Sequence, residues 1–289
     1  MSLDIKGIVL NLIGRRVAYR LGRSMYLSAR GDIPNDFNTN GEMLIQSGVL
    51  RAWRSGILGE GRFVVFDVGA NIGEWSNALL EKLDSHEVAE GLDMYIFEPV
   101  PSTAKTLRNS LPVGKPNLHI EEMGLSSSAG AAEIYISAAN AGTNSLHKER
   151  GSKCQAAVLV NLTTVRYFCE SRGIRHIHLL KCDAEGHDME VIRGALPMLR
   201  DGKVSVMQFE YNHRWVFSRN FLRDVFVAIE SMPYKVAKLQ ADYVLVVEEW
   251  HPELDRFFEG NYALIHNDAM HWFPAKVARF DRFNSFVAT

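Results

Sequence analysis

The chain has 289 residues, of which 47% are hydrophobic and 23% charged, and its formal net charge is −2. These values are typical of a globular protein with one large domain, or a domain and an appendage, and a near-neutral charge disfavours nucleic acid as the main partner. The cysteines are odd in number and lack metal-ligand spacing, which predicts a reduced, cytoplasmic protein. They are Cys154, Cys169 and Cys182.

Residues 5–30 predict a basic amphipathic helix, because apolar residues recur at helical spacing with arginines between them. The apolar run is too short for a membrane span, and no clear signal-peptide cleavage site follows it. Packing on the main domain or on a second subunit is favoured over contact with an anionic membrane. The turn formers at 31–41 predict a linker or lid. We therefore assign residues 1–60 to an N-terminal helical extension, a substrate lid or oligomer contact, and 61–289 to the main domain.

The most informative stretch is a short β-branched and aromatic run at 63–68 that breaks at a glycine-spaced turn before a helical pattern. This order predicts a buried strand, a tight loop and a helix. Glycines at the turn let the backbone approach a ligand closely. The third glycine of a dinucleotide fingerprint is missing, and Asp67 at the strand end would repel a pyrophosphate. An acid at this position suits the cationic S-adenosylmethionine. The alternative is a glycine turn with only a structural role, as any α/β protein can have. The candidate cofactor residues here are Asp67, Gly69, Ala70, Asn71 and Gly73.

Two later strands predict further cofactor contacts. The run at 92–97 ends at Glu98, and a carboxylate in that position accepts two ribose hydroxyls in nucleotide-binding folds. Residues 117–126 predict a third strand and turn, whose backbone around Ser126 would lie beside the adenine. The small polar residues at 137–157 are interpreted as a flap over the methyl donor.

A charged strand end at 176–188 predicts the catalytic region. Strand alternation places Lys181 and Asp183 on one face with Glu185 close by, where each buried charge needs a partner. A structural ion-pair network is the alternative, but a position at the ligand edge of the sheet favours function. No metal motif is present; a divalent ion on Asp183, Glu185 and Glu210 remains an alternative.

The following run at 204–210 ends in Glu210, and the aromatic residues, histidine and arginine after it predict an acceptor pocket. Asp183, Glu210 and His213 are the candidate general bases, with Lys181 holding the carboxylates or lowering the pKa of a hydroxyl. Asp183 is also counted among the cofactor contacts. The remaining chain predicts a helix at 220–231, late strands at 234–239, 243–247 and 262–265 that suit antiparallel pairing, and an aromatic tail.

These stretches together resemble the FkbM-type family of S-adenosylmethionine-dependent methyltransferases. The resemblance is carried by Asp67–Gly73, Phe97-Glu98-Pro99, Leu180–Gly186 and Phe209-Glu210-Tyr211. It implies a Rossmann-like class I methyltransferase fold, an α/β architecture with a seven-stranded, mostly parallel sheet and helices on both faces. It also implies that Asp67, Gly69, Asn71, Gly73 and Glu98 bind the cofactor.

The resemblance further implies O-methylation of a hydroxyl on a sugar, glycan or natural product. N- or carboxyl-methylation, a nicotinamide-dependent oxidoreductase and a scaffold protein without turnover are the alternatives. The chain departs from the family at Thr164–Phe168, where an acidic run is usual, and at His187-Asp188, where a small residue and a glutamate are usual. The predicted partner is a small-molecule or glycan acceptor, and a second copy of the chain and a membrane surface at the N-terminal basic helix are further candidates.

Overall fold

The structure is a computed structural model that describes residues 5–59, 61–112, 117–136, 146 and 156–288. Within these residues the chain forms one large sheet, a small second sheet and helices on both faces of the large sheet. The helices are α1 (Ile5–Ile13), α2 (Arg15–Ala29), α3 (Glu42–Arg54), α4 (Glu74–Leu80), α5 (Pro101–Ser110), α6 (Val165–Arg172), α7 (Asp188–Arg200) and α8 (Leu222–Ile229). Short helical turns lie at Glu87–Gly91, His213–Val216, Pro252–Leu254 and Asn267–Trp272.

The strands are numbered along the chain. They are β1 (Phe63–Val68), β2 (Leu92–Phe97), β3 (Leu118–Glu121), β4 (Gly124–Leu125), β5 (Gly130–Ile136), β6 (Ala156–Thr163), β7 (Ile177–Cys182), β8 (Val204–Tyr211), β9 (Tyr234–Leu239), β10 (Val244–Val247), β11 (Gly260–His266), β12 (Ala275–Phe280) and β13 (Phe286–Ala288). The large sheet has the order β13-β12-β10-β9-β11-β8-β7-β1-β2-β3, and the small sheet the order β4-β6-β5.

The predicted α/β fold is confirmed, and five of the nine neighbouring strand pairs in the large sheet are parallel. The late strands β9, β10 and β11 pair antiparallel, also as predicted. The predicted number of seven strands is wrong, since the described residues form ten in this sheet. β10, β12 and β13 extend one edge, because part of the aromatic tail pairs as strands.

Alternation along β1 divides the interior into two cores. Phe66 and Val68 face one core, and Phe63 and Val65 face the other. Each of these side chains is almost fully buried, a burial that stabilises the fold by roughly 1.5–3 kcal/mol per large apolar side chain. Strands that are buried on both faces fit a central parallel sheet.

Helix α3 packs in the same core as Phe63 and Val65, and its Ile45 and Val49 are fully buried there. Gly48 leaves room for an aromatic ring from the chain's end, because a Cβ at Gly48 would lie 2.2 Å from a ring carbon of Phe273. Part of the chain's aromatic tail therefore packs on α3.

Strand register brings polar residues into one row at the carboxyl edge of the sheet. Asp67 on β1 pairs with Lys181 on β7, which pairs with Gln208 on β8. All three project toward the core that contains α3, as does Glu210 two residues further along β8. The sheet thus gathers acidic, basic and amide side chains at its ligand edge.

Most element boundaries lie within a few residues of those predicted. The helix after the glycine turn starts at Glu74, directly after Gly73, rather than at residue 77. β6 is missed by the sequence reading, which ended a loop at 157 and began a helix at 163. The predicted flap at 137–157 lies outside the described residues except for positions 146, 156 and 157, and Cys154 lies outside them too.

Candidate active site

A cleft lies at the carboxyl edge of β1, β2 and β7, and it encloses about 710 Å³ including the part open to solvent. We call it the sheet-edge cleft. It is lined by Val68, Gly69, Asn71, Glu98, Pro99, Val100, Gly124, Leu125, Ile134, Leu146, Asp183, Ala184, Glu185 and His187.

The glycine turn owes its shape to the close approach of two strand ends. Gly69 has a φ of +77°, and a Cβ there would lie 2.0 Å from the carbonyl oxygen of Asp183. The amides of Gly69 and Ala70 both donate to the Phe97 carbonyl at 3.0 Å. These amides therefore tie β1 to β2.

Glu98 closes the neighbouring side of the cleft. Its two carboxylate oxygens accept hydrogen bonds from the backbone amides of Asn71 and Val100, each at 3.0 Å. Burial raises the pKa of Glu98 to about 7, although the two amide hydrogen bonds oppose the rise. Its place at the end of β2 beside the turn fits the ribose-binding role that the sequence suggested.

Asp67 lies beneath the cleft, outside its lining, and is fully buried. The hydroxyl of Ser76 donates to its Oδ2 at 2.6 Å, and the Lys181 Nζ lies 3.8 Å from its Oδ1. Burial raises the pKa of Asp67, and the nearby Lys181 opposes that rise. Gly73 also lies outside the lining, as the residue that precedes α4 with a φ of +89°.

Lys181 is the cation at the centre of this edge. Its Nζ lies 3.5 Å from Asp183 Oδ2 and 3.8 Å from Asp67 Oδ1. Burial works against its charge, but Asp183, Asp67 and Glu42 outweigh burial and raise the pKa of Lys181. The predicted pairing of Lys181 with Asp183 on one strand face is confirmed.

Three carboxylates meet at the mouth of the cleft, and we call them the acid cluster. Oxygens of Asp183, Glu185 and Glu210 lie within 4.8 Å of one another. Burial and the nearby Asp183 raise the pKa of Glu185 to about 8, with Arg214 opposing, and the Arg214 Nη1 lies 2.7 Å from Glu185 Oε2. Asp183 Oδ1 is buried and has no hydrogen-bond partner among the described residues, so it is an acceptor available to a bound molecule.

Glu210 is held by two amide side chains. Asn35 Nδ2 donates to Oε1 at 3.0 Å, and Asn212 Nδ2 donates to Oε2 at 2.8 Å. Burial and the neighbouring Asp183, Asp188 and Glu185 hold the pKa of Glu210 well above its usual range. Once it is ionised, a carboxylate with a raised pKa is a stronger base than an exposed one, which suits proton abstraction.

Asn35 belongs to residues 31–41, which we call the N-terminal strap. Its Oδ1 accepts from Asn40 at 2.7 Å and from Asn261 at 3.1 Å. Directly after the strap, Glu42 Oε2 accepts from Gln208 Nε2 at 2.9 Å. The strap thus fixes the acid cluster from outside the parallel sheet.

His213 is exposed on the turn after β8, whereas its neighbour Arg214 contacts the acid cluster. His187 is buried, and its Nε2 lies 2.9 Å from Ser126 Oγ. Asp188 accepts hydrogen bonds from the backbone amides of Ala184 and Gly186 and is the first residue of α7, so it stabilises the loop before the helix.

The structure therefore brings together some of the predicted site residues and separates others. Gly69, Asn71, Glu98 and Asp183 line the sheet-edge cleft, and Lys181 and Glu210 adjoin it. Asp67, Ala70, Gly73 and Ser126 lie outside the lining, and His213 faces solvent. Arg214, which the sequence placed in an acceptor pocket, contacts the acid cluster. Asn35 and Glu42 were missed, because the turn formers at 31–41 predicted only a linker or lid and no residue in or beside it was singled out.

Comparison with protein families then identifies the chain. The sequence profile of the methyltransferase FkbM domain matches residues 67–236, more than half of the chain. The chain belongs to the FkbM methyltransferase family. It is an S-adenosylmethionine-dependent methyltransferase with a Rossmann-like class I fold. The alternative functions of oxidoreductase and scaffold protein are therefore set aside.

Solved structures show only distant likeness to this FkbM-family chain. Magnesium protoporphyrin IX methyltransferase from Synechocystis PCC 6803, solved with bound S-adenosylmethionine, is 11% identical over 92% of this chain and 98% of its own, with a TM-score of 0.38. Precorrin-6y C5,15-methyltransferase from Geobacter metallireducens is 10% identical over 77% of this chain and 84% of its own, with a TM-score of 0.36. None of the curated proteins compared with the chain matches it.

The residues of the cleft fit the family's cofactor. Gly69 keeps the floor clear of a side chain, Glu98 offers carboxylate oxygens at the β2 end, and Asp183 Oδ1 is a buried acceptor without a hydrogen-bond partner among the described residues. Carboxylates outnumber cations around the cleft, which favours a ligand with an ammonium and a sulfonium group. If S-adenosylmethionine binds in this cleft, Glu98, Asn71 and Asp183 are the side chains that would hold it.

Proposed function

We propose that the protein transfers the methyl group of S-adenosylmethionine to a hydroxyl of a sugar, glycan or natural product. The observation that carries this proposal is the acid cluster at the mouth of the sheet-edge cleft, with oxygens within 4.8 Å of one another. A hydroxyl must lose its proton as it is methylated, so it needs a base at that point. An amine or carboxylate acceptor has less need of one, which disfavours N- and carboxyl-methylation.

Within this proposal each side chain has a distinct task. S-Adenosylmethionine supplies a methyl group activated by the sulfonium. Glu210, with its raised pKa, takes the proton of the acceptor hydroxyl, and Asp183 orients that hydroxyl with its available Oδ1. Lys181 holds Asp183 in place through an ion pair at 3.5 Å. We assign no role in proton transfer to His213, because it is exposed on the turn after β8.

We further propose that the N-terminal extension, residues 1–60, contributes the acceptor side of the site to the methyltransferase domain at 61–289. Asn35 supports this, since it bridges Glu210 and Glu259 through one amide nitrogen, at 3.0 and 2.6 Å. In Asn35→Ala the Michaelis constant for the acceptor should rise several-fold while the affinity for S-adenosylmethionine stays unchanged. Asn38→Ala, in the same strap but outside the hydrogen bonds to Glu210, is the matched control.

A cytoplasmic location is part of the same proposal. It is supported by free, buried thiols at Cys169 and Cys182, because reduced cysteines are usual in a reducing compartment. No helix in the described part of the chain is long and apolar enough to cross a bilayer.

The protein is first titrated calorimetrically with S-adenosylmethionine and, as the control ligand, with NAD. The test is then methyl transfer from labelled S-adenosylmethionine to panels of hydroxyl, amine and carboxylate acceptors. We expect label on hydroxyl acceptors only. Glu210→Gln should lower kcat about 10²- to 10⁴-fold, the usual contribution of a general base, with cofactor affinity unchanged. Glu230→Gln, at an exposed carboxylate outside the site, is the matched control. Full turnover in Glu210→Gln, or transfer only to amines, would overturn the proposal.

A further inference from the structure

Helices α1 and α2 expose a dense apolar surface. In α2 no described side chain is buried, and Leu12, Tyr19 and Met25 are each more than 70% exposed. Soluble proteins usually scatter such residues singly, so this concentration indicates an interaction surface. Its large apolar members, from Leu10 to Tyr26, are Leu10, Leu12, Ile13, Val17, Tyr19, Leu21, Met25 and Tyr26.

The same segment carries charge of only one sign. Residues 5–30 contain six basic residues and no acid, whereas the rest of the chain has 26 basic residues against 34 acidic ones. On α2, the spacing of Arg16, Arg20 and Arg23 places them on one side of the helix, and Val17 and Leu21 lie on another. A helix with separate apolar and arginine-rich sides is typical of segments that lie in a membrane interface.

We propose that α1 and α2 form a docking surface for an anionic lipid bilayer, with the apolar side in the acyl boundary and the arginines at the headgroups. Charge decides between this partner and a second copy of the chain. Two copies of an all-basic helix pair repel each other, whereas anionic lipid attracts them and also accommodates the apolar side chains.

The docking surface is fixed to the site through the end of α2. Tyr26 and Arg30 both bond to Glu253, the arginine donating to its carbonyl oxygen at 2.7 Å, and the Arg30 guanidinium lies 5.5 Å from the Phe258 ring centroid. Five residues beyond Arg30, Asn35 reaches Glu210. A bilayer bound by α2 would therefore lie close to the acid cluster. The inference concerns location and does not depend on which acceptor is methylated.

The test is flotation of the full chain with two kinds of vesicle, pure phosphatidylcholine and a mixture with one third phosphatidylglycerol. We expect binding to the anionic vesicles only, weakened by salt. The combined substitution of Arg15, Arg16 and Arg20 by glutamine should reduce partitioning at least about tenfold, since each basic residue adds to the attraction. Glutamine at the exposed Lys105, Arg200 and Lys235 removes the same charge elsewhere and is the matched control.

A second variant tests the apolar side, with Leu12→Ser, Leu21→Ser and Met25→Ser combined, and light scattering reports the oligomeric state of each protein. Loss of vesicle binding in this variant, with cofactor affinity unchanged, supports the proposal. Equal loss in the arginine variant and its charge control would overturn it. Wild-type protein that does not bind anionic vesicles would also overturn it. If that protein is a dimer that dissociates only in the serine variant, the helices bind a second copy of the chain instead.

Discussion

Glu98 is a residue whose ionisation should be visible in cofactor binding. Burial raises its pKa to about 7, and only the ionised form accepts ribose hydroxyls with both oxygens while it holds the Asn71 and Val100 amides. We expect the affinity for S-adenosylmethionine to rise between about pH 6 and 8, because that range ionises the group. Calorimetric titration across this range measures it.

Glu98→Gln is the matched variant for this prediction. It keeps an acceptor oxygen and cannot ionise, so its affinity should be weaker at high pH and should depend less on pH. The same pH dependence in wild type and Glu98→Gln would show that another group, such as Asp188 with a pKa near 7, controls binding.

Gly69 tests the close approach that shapes the turn. Gly69 and Gly56 share a φ of +77°, but a Cβ would lie 2.0 Å from the Asp183 carbonyl at Gly69 and would meet nothing within 4 Å at Gly56. Gly56→Ala should cost about 1–2 kcal/mol, the penalty of a left-handed conformation. Gly69→Ala should cost about 2 kcal/mol more, the usual price of overpacking. Urea unfolding compares the two, and equal losses would show that the turn relaxes freely.

The site residues that could be predicted are those in or directly after a strand with a recognisable sequence pattern. Asp67, Glu98 and Lys181 were found because each stands at or near the carboxyl end of a buried apolar run, and such ends meet at one edge. Asn35 and Arg214 could not be found this way. Their contacts to Glu210 and Glu185 join segments about 30 to 175 residues apart in the chain, or depend on the direction of a short turn.

Among the elements, α7 is positioned by one glycine. A Cβ at Gly194 would lie 2.1 Å from the Ser126 carbonyl oxygen, so the helix packs directly on the loop whose Ser126 also contacts His187. Gly194→Ala should therefore lower the free energy of unfolding by about 1–3 kcal/mol and disturb the cleft. Unfolding by urea and titration with S-adenosylmethionine measure the two effects.

The control for this prediction is Gly22→Ala in α2, where a Cβ meets nothing within 4 Å. There alanine should leave stability unchanged or raise it by up to about 1 kcal/mol, because glycine is a poor helix former. A Gly194→Ala protein as stable as the Gly22→Ala protein would mean that α7 shifts away from the loop at no cost.

The elements were predictable in proportion to the regularity of their sequence pattern. β1, β2, β7 and β8 are apolar runs bounded by charged or turn residues, and each was found nearly at its true limits. β12 and β13 were missed because exposed edge strands such as Ala275–Phe280 bury little and show no clean alternation. β6 has the same mostly exposed pattern.

Across the whole molecule, the acid-rich site should make stability depend on pH. Glu185 ionises near pH 8 in the fold and near 4.5 when unfolded, so the folded state holds its proton more tightly between these values. Its contribution is complete below about pH 4.5 and is lost as the pH rises through about 8. The buried His178, whose pKa is lowered to about 4, acts in the opposite direction, but only below its unfolded pKa of 6.5.

Stability without cofactor should therefore fall between about pH 6.5 and 8.5, where only the raised acids still titrate among these groups. Glu185→Gln removes one of them, so this variant should gain about 1–2 kcal/mol on the wild type across that range. Glu253→Gln makes the same chemical change where the pKa is lowered to about 2, so its difference from the wild type should stay constant. The free energies of unfolding of the wild type, Glu185→Gln and Glu253→Gln, measured in urea at about pH 6.5 and about pH 8.5, test this prediction. A constant difference for Glu185→Gln would mean that Arg214 keeps Glu185 ionised throughout, and the acid cluster would then be a fixed anion rather than a base that titrates near neutral pH.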